Sequence, residues 1–484
     1  MPIAKTINEV ILKIPSVAFL LFYAKLVTAQ TQPPNIILLF ADDAGYHDFG
    51  FQGSTTFHTP HLDKLAKEGV QFEQAYTTAA VCGPSRAGLL TGIYQQRFGF
   101  EENNVPGYMS SSSKLLGDEM GLPLDLNIIP NYLKSYGYRS IILGKWHLGN
   151  ADKYHPLQRG FDEFYGFRGG ARSFWELSAQ DISDKPEKKW ESGFGDFDEP
   201  KTYLTDAIAN RATKFIAENT ENPFFMFVSF NAVHAPLQAT REDLAKIDAL
   251  SPGLTRKRRI LAAMTLAMDR ACGLILAELK NQGLEKNTLV VFTNDNGGPD
   301  GTSSCNYPLS GCKSNNLEGG IRVPFIMKLP DVIEPHSTYN YPISTLDLLP
   351  TFLNLAGGKA YEQEQLDGVD LLPYLTDQKQ DQPHQSLYWK KENRGIIRDG
   401  NWKMLRFPDR PAELYDLATD ETESTNLAYQ YPEKVRALFK KLWAWESTLE
   451  RPLFMLRREY EVNAMQRMDD KRDPSCENEI DQKN

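Results

Sequence analysis

Four times along this chain a short, unbroken apolar run stops at a polar cluster. Asn35-Ile36-Ile37-Leu38-Leu39-Phe40 leads into Ala41-Asp42-Asp43-Ala44-Gly45, and Arg139-Ser140-Ile141-Ile142-Leu143 into Gly144-Lys145-Trp146-His147. Pro223 to Phe230 leads into Asn231-Ala232-Val233-His234, and Thr288 to Thr293 into Asn294-Asp295-Asn296-Gly297-Gly298. Apolar runs of this length without alternation belong to strands covered on both faces, as in parallel sheets. Helical patterns stand between them: Thr59 to Glu68 (before a further strand, Val70 to Tyr76), Ile129 to Ser135, Tyr203 to Glu218, and about Arg256 to Gln282. The alternation predicts an α/β fold with a doubly wound, mostly parallel sheet. Such sheets bind ligands beyond the carboxyl ends of their strands, which is where the polar clusters fall.

The pattern changes between Gly368 and Leu375. Gln382 to Pro408 alternates aromatic and polar residues, as short antiparallel strands do. Glu413 to Leu417 then leads to a terminal helix from about Pro432 to Leu449. The expected organisation is a catalytic domain over 30–370, a small C-terminal α+β unit over 371–456, and a charged, mobile tail over 457–484. The polar loop Glu101 to Asp125 is a candidate lid or rim. At the N-terminus, Lys5 and Lys13 precede an apolar run from Ile14 to Ala24 and the small-residue pattern Val27-Thr28-Ala29. Residues 1–29 therefore read as an export signal, too short in its apolar part to span a bilayer comfortably. The expectation is a periplasmic or secreted protein with no stable membrane association after cleavage.

A net charge of −10 over 484 residues argues against nucleic acid as a partner. An anionic ligand would have to be met by a local group of cations against the sign of the whole. Five cysteines are too few for a disulfide framework in a chain of this size. Cys305 and Cys312 are spaced to close a small loop, Cys272 lies in an apolar helical stretch, and Cys476 falls in the charged tail without an assigned role.

The polar clusters carry chemistry in combination. Asp42, Asp43, Asp295 and Asn296 offer an all-oxygen ligand set, suited to a hard divalent cation such as calcium rather than to zinc. Lys145 and His147 are two apart, so an extended segment points both to one side. His234 also follows a strand, and Lys313 precedes the glycine-containing Glu318-Gly319-Gly320-Ile321-Arg322. The run Cys82-Gly83-Pro84-Ser85-Arg86-Ala87-Gly88-Leu89-Leu90-Thr91-Gly92 sets one cysteine beside a proline turn at an apolar helix start.

That run resembles the maturation signature of the formylglycine-dependent sulfatases, and the resemblance spans Pro34 to about Leu449. It implies an alkaline phosphatase-like fold with a small C-terminal domain. It further implies that a formylglycine-generating or sulfatase-maturating enzyme oxidises Cys82 to formylglycine (3-oxoalanine), whose gem-diol attacks sulfur. By the same resemblance one calcium ion sits on Asp42, Asp43, Asp295, Asn296 and the modified Cys82. Arg86 steadies the gem-diol, and Lys145 and Lys313 clamp sulfate oxygens. His147 is the base that collapses the sulfated intermediate, and His234 protonates the departing alcohol.

The expected substrate is a sulfated carbohydrate. The chain is similar to exported bacterial sulfatases acting on algal polysaccharides such as ulvan or carrageenan. Arg168 and Arg172, in a segment with Phe174 and Trp175, are candidates to hold further anionic groups on a sugar chain. Two other functions remain open at this point: a phosphonate or phosphodiester hydrolase of the same superfamily, and a carbohydrate-binding pseudoenzyme in which Cys82 stays a thiol.

Overall fold

A computed structural model describes residues 32–358, 365–472 and 476; the expected export signal lies outside them. Strand β1 (Asn35–Ala41) is buried along its whole length. Its side chains alternate between two cores: Ile37 and Leu39 enter one, and Ile36, Leu38 and Phe40 the other. A strand with no polar side has to lie inside a sheet covered on both faces.

The sheet around it contains β2 (Val70–Phe72), β4 (Arg139–Lys145), β5 (Glu163–Phe167), β6 (Glu191–Ser192), β7 (Phe224–Ser229), β8 (Thr288–Asn294), β9 (Ile326–Lys328) and β10 (Ser337–Tyr339). The order is β10-β2-β9-β8-β1-β7-β4-β5-β6. The five central strands β8, β1, β7, β4 and β5 are parallel, and β6 and β9 run antiparallel to their neighbours. The strand expected over Val70 to Tyr76 divides into β2 and β3 (Ala75–Tyr76), the latter pairing with β11 (Ile343–Ser344). The fold is the expected α/β arrangement with a mostly parallel mixed sheet.

Helices Pro60–Lys67, Leu204–Glu218 and Arg256–Asn281 cover one face, through Leu62, Ile208, Phe215, Leu261 and Met268 among others. Helices Cys82–Thr91, Ile129–Lys134 and Leu348–Leu355 cover the opposite face. Arg256–Asn281 is apolar and long enough to cross a membrane, but most of that apolar stretch is buried inside the protein. Each large apolar side chain so buried contributes about 1.5–3 kcal/mol. With both faces covered and β1 in the middle, the carboxyl ends of β1, β4, β7 and β8 lie side by side.

A second, antiparallel sheet is made of β12 (Ser386–Lys391), β13 (Arg394–Asp399), β14 (Trp402–Arg406) and β15 (Glu413–Asp416). Helix Pro432–Glu446 packs Leu438, Leu442 and Trp445 against Ile397, Met404 and Leu414. The other face sets Leu387, Trp389, Ile396 and Leu405 against Tyr76, Leu317 and Ile321 of the larger unit. Between the units, Lys403 Nζ lies 2.8 Å from both Glu318 Oε1 and Glu423 Oε1, all with buried side chains, and Tyr76 Oη donates to Glu318 at 2.6 Å.

Two expectations are corrected at the C-terminus. Much of the anticipated tail is helix Arg458–Asp470, which buries Ala464, Met465 and Met468. Cys305 is bonded to Cys476, not to Cys312. The returning chain explains this. Gly311 N donates to Lys471 O at 2.9 Å and Ser310 Oγ to Arg472 O at 2.6 Å, bringing the terminal segment against the loop. Cys312 instead receives a hydrogen bond from Asn315 Nδ2 at 3.5 Å and remains a free, buried thiol.

Candidate active site

Cys82 opens helix Cys82–Thr91, preceded by Val81 in extended backbone. A helix start presents unpaired N–H groups and the positive end of the helix dipole, which favour an anion. One of those donors is taken by Asn103, whose Oδ1 accepts from Gly83 N at 2.7 Å. Asn103 comes from the loop foreseen as a lid or rim. That loop is braced by the C-terminal segment, through Ser110 N to Met455 O and Leu115 N to Leu453 O, each 2.8 Å.

The sheet delivers the other groups. Asp42 and Asp43 follow β1, Lys145 ends β4, His234 follows β7, and Asp295 and Asn296 follow β8. Ligand atoms of Asp42, Asp43, Cys82 and His234 lie within 4.8 Å of one another. Cys82 Sγ is 3.6 Å from Asp42 Oδ1, 3.8 Å from Asp43 Oδ1 and 3.2 Å from Lys313 Nζ. Lys145 Nζ sits 2.6 Å from Asp42 Oδ2, and Lys313 Nζ 2.7 Å from Asp43 Oδ2. Arg86 donates to Asp295 Oδ2 from Nε and Nη2 at 3.2 and 3.0 Å. Its Nη1 donates at 2.6 Å to Ser229 Oγ, a contact the sequence did not signal; Ser229 in turn donates at 2.6 Å to Lys145 O.

Three carboxylates thus meet three cations inside the protein. A divalent ion added to this set would leave a positive site for an anionic ligand, despite the chain's overall sign. One polar atom points to such an ion. Asn296 donates from Nδ2 to Asp43 Oδ1 at 2.8 Å, while its Oδ1 is buried with no hydrogen-bond partner among the described residues. An orphaned carbonyl oxygen beside three carboxylates fits a hard oxygen-seeking cation.

Burial and neighbours set the protonation states. Burial, then the Asp295 charge, pushes Asp42 up to about 8, although Lys145 and Arg86 oppose this. Burial also works on Asp43, but Lys313, His234 and Lys145 outweigh it and hold that carboxyl below the usual range. Burial, then Asp295, pushes the Cys82 thiol well above the usual thiol range. A neutral, buried thiol is a poor nucleophile. Burial, reinforced by Lys145 and Arg86, holds His147 neutral. Burial depresses His234 to about 4, although Asp43, 3.4 Å away, partly opposes it.

His147 is 5% exposed, and neither ring nitrogen has a partner among the described residues. Its backbone has φ of 62° and its N donates to Arg168 O at 3.0 Å. Gly170 lies against the ring: a Cβ there would stand 2.5 Å from Nε2. The segment around Arg168 therefore meets the site through its glycine, not its arginines. Arg168 is forked onto Glu191 at 2.7 and 2.9 Å and also pairs with Asp152. Arg172 is buried, bound to Glu199 and to the carbonyls of Ser173 and Lys188. Both guanidinium groups are consumed internally, which corrects the expectation that they hold anionic groups of a sugar.

Known proteins resemble this chain over most of its length. The family model described as Sulfatase matches residues 34–358. The model for the C-terminal region of N-sulphoglucosamine sulphohydrolase matches 313–448. N-acetylgalactosamine-6-sulfatase of Mus musculus is 34% identical over 378 residues, covering 74% of this chain and 69% of that protein. Arylsulfatase J of Mus musculus is 31% identical over 360 residues, covering 72% and 57%. Among solved structures, Ps i-CgsB in complex with k-i-k-neocarrahexaose superposes with a TM-score of 0.80 at 32% identity, covering 90% of this chain and 98% of that one.

Proposed function

The chain belongs to the sulfatase family and is a sulfuric ester hydrolase, and we propose that it acts on a sulfated polysaccharide or its oligosaccharides with formylglycine at position 82 and one calcium ion. The observation that carries this reading is the convergence of Cys82 Sγ, two aspartates and Lys313 at a helix start. The thiol itself is neutral and buried, so conversion to an aldehyde hydrate supplies the nucleophile that the coded side chain lacks. Asp42, Asp43, Asp295 and Asn296 would hold the calcium ion, which when bound supplies Lewis acidity toward a sulfate oxygen and lowers the pKa of a bound hydroxyl.

The chain's own residues do the rest. Lys145 and Lys313 exchange part of their contact with Asp42 and Asp43 for the sulfate oxygens, meeting charge as it develops. Arg86, locked by Asp295 and Ser229, is the fixed positive charge that would steady the hydrated residue 82. Neutral His147 has ring nitrogens without a partner among the described residues, able to take a proton. His234 stands on the more open side, with Nδ1 anchored 2.7 Å from Ala235 O and Nε2 toward the site. A sulfate ester beside it favours the protonated ring, opposing its depression and letting it donate to the leaving oxygen.

A sulfated galactan is the favoured substrate, because the solved relative at 32% identity was captured with neocarrahexaose. Export is proposed from the N-terminal pattern and is supported by the Cys305–Cys476 disulfide, a bond that persists in oxidising compartments. The test is purified enzyme, co-produced with a maturating enzyme, against carrageenan, ulvan, fucoidan and chondroitin sulfate oligosaccharides, with released sulfate read by ion chromatography. Cys82→Ala should abolish release with the fold intact; undiminished turnover by that variant refutes the assignment.

A further inference from the structure

A cleft of about 590 Å³ opens beside the reaction centre, between the loop 102–109 and helix Arg458–Asp470. Val81 and Ser314 line it, each adjacent in sequence to a reaction-centre residue, Cys82 and Lys313. Ser314 N donates to Ala80 O at 2.8 Å, which ties together the two stretches that run from this cleft into Cys82 and Lys313. Its volume falls within the range of ligand-binding clefts.

The opposite wall is the helix that the sequence pattern had left as a tail. Asn463, Gln466 and Arg467 line the cleft from a single helix face, at i, i+3 and i+4. Arg467 is exposed and, among the described residues, makes no ion pair; its one hydrogen bond runs from Nε to Asn463 O at 3.4 Å. Lys391, also lining the cleft, is buried and neutralised by Glu102 at 2.5 Å. The rings of Tyr108 and Tyr460 lie 5.0 Å apart at the rim, with Tyr108 half exposed. This wall is rigid. Met465 and Met468 are packed in the core, Arg394 pairs with Glu461 at 3.0 Å, and the terminal segment is bonded to the loop before Lys313.

Side-chain amides suit sugar hydroxyls, tyrosine faces suit the C–H faces of sugar rings, and a free guanidinium suits a sulfate bidentately. One cation, with the exposed carboxylate of Asp470 lining the same cleft, does not suit nucleic acid on a chain of charge −10. We propose that this cleft holds the oligosaccharide beyond the reacting unit, and that Arg467 reads a second sulfate on it. The inference rests on the polysaccharide reading above and adds where the rest of the glycan lies and which residue reads its charge.

The test compares matured wild type, Arg467→Ala, Arg467→Lys and Tyr108→Ala on 4-nitrophenyl sulfate and on the fastest sulfated oligosaccharide of the panel. Arg467→Ala should lower kcat/KM for the oligosaccharide about 10- to 100-fold, mainly through KM, as expected for a lost charge-assisted hydrogen bond. The same variant should leave 4-nitrophenyl sulfate turnover within twofold and flatten the salt dependence of KM. Arg467→Lys should recover part of the loss, and Tyr108→Ala should weaken the oligosaccharide alone. Equal losses on both substrates, or no loss on either, overturn the cleft. So does a wild type that cleaves 4-nitrophenyl sulfate but no oligosaccharide. A wild type inactive on every ester fails the functional reading itself, a distinct result.

Discussion

Calcium should raise the thermal stability of this protein by an amount that can be worked out. The ion's proposed ligands exist together only in the folded chain, because Asp42 and Asp43 come from one strand end and Asp295 and Asn296 from another more than 250 residues away. A ligand that binds only the native state stabilises it by RT ln(1 + [L]/Kd), about 2.7 kcal/mol at a hundredfold excess over Kd. For 484 residues, unfolding entropy of about 2.1 cal/mol/K per residue gives about 1 kcal/mol per degree. Protein stripped with a chelator should therefore gain about 3 °C in unfolding midpoint when calcium is restored to that excess, rising slowly thereafter with the logarithm of concentration. Magnesium, smaller and reluctant to dehydrate, should give a smaller shift. Differential scanning calorimetry at several calcium concentrations measures this without any turnover. Asn296→Ala, which removes the orphaned oxygen, should need more calcium for the same shift. A midpoint indifferent to millimolar calcium, or an identical titration in Asn296→Ala, refutes the ion site.

Three further outcomes follow from the geometry. Gly170→Ala places a methyl group 2.5 Å from His147 Nε2; kcat should fall about 100-fold through displacement of that ring, with the midpoint little changed, and wild-type kcat would show that His147 has room to move. Cys82→Ser keeps a hydroxyl but offers no second one to expel sulfate, so single-turnover mass spectrometry should find a sulfated enzyme that does not clear; steady turnover contradicts the proposed route. Asp269 accepts from Leu62 N and His61 N at 2.8 and 3.2 Å, and burial pushes it up to about 7 against those donors. The folded carboxyl keeps its proton to higher pH than the unfolded one, so its contribution is complete below about pH 4 and is lost as pH rises through 7, a difference of about 2–4 kcal/mol. Urea unfolding at pH 5 and 8 should show the gap between wild type and Asp269→Asn shrinking or reversing at the higher pH; a constant gap refutes this.

The parallel sheet was legible because its central strands need apolar residues on both faces, which leaves long unbroken runs in the sequence. β1 and β8 were anticipated nearly to the residue for that reason. β5, with Glu163 and Tyr165 partly exposed among buried neighbours, has no such run and went unseen. The groups now found together at the strand ends were also readable, since each follows a run directly. Arg168 and Arg172 were misread because charge is visible in sequence and its consumption by Glu191 and Glu199 is not. The final helix was missed for a related reason. Only Ala464, Met465 and Met468 of its thirteen residues are buried, a stripe too narrow to stand out against its many charges. The Cys305–Cys476 disulfide joins residues 171 positions apart, which no local spacing reports.

The placement of the earliest strand at the middle of the sheet sets a clock on synthesis. Residue 82 is 1% exposed once the molecule closes, beyond the reach of another protein's catalytic groups. Yet Arg86 must wait for Asp295, 209 residues later, before its neighbourhood can seal. At ribosomal rates that interval lasts about 10–40 s. The oxidation proposed above for this thiol therefore has to come before the chain folds, and that interval is the shortest time in which the site stays open.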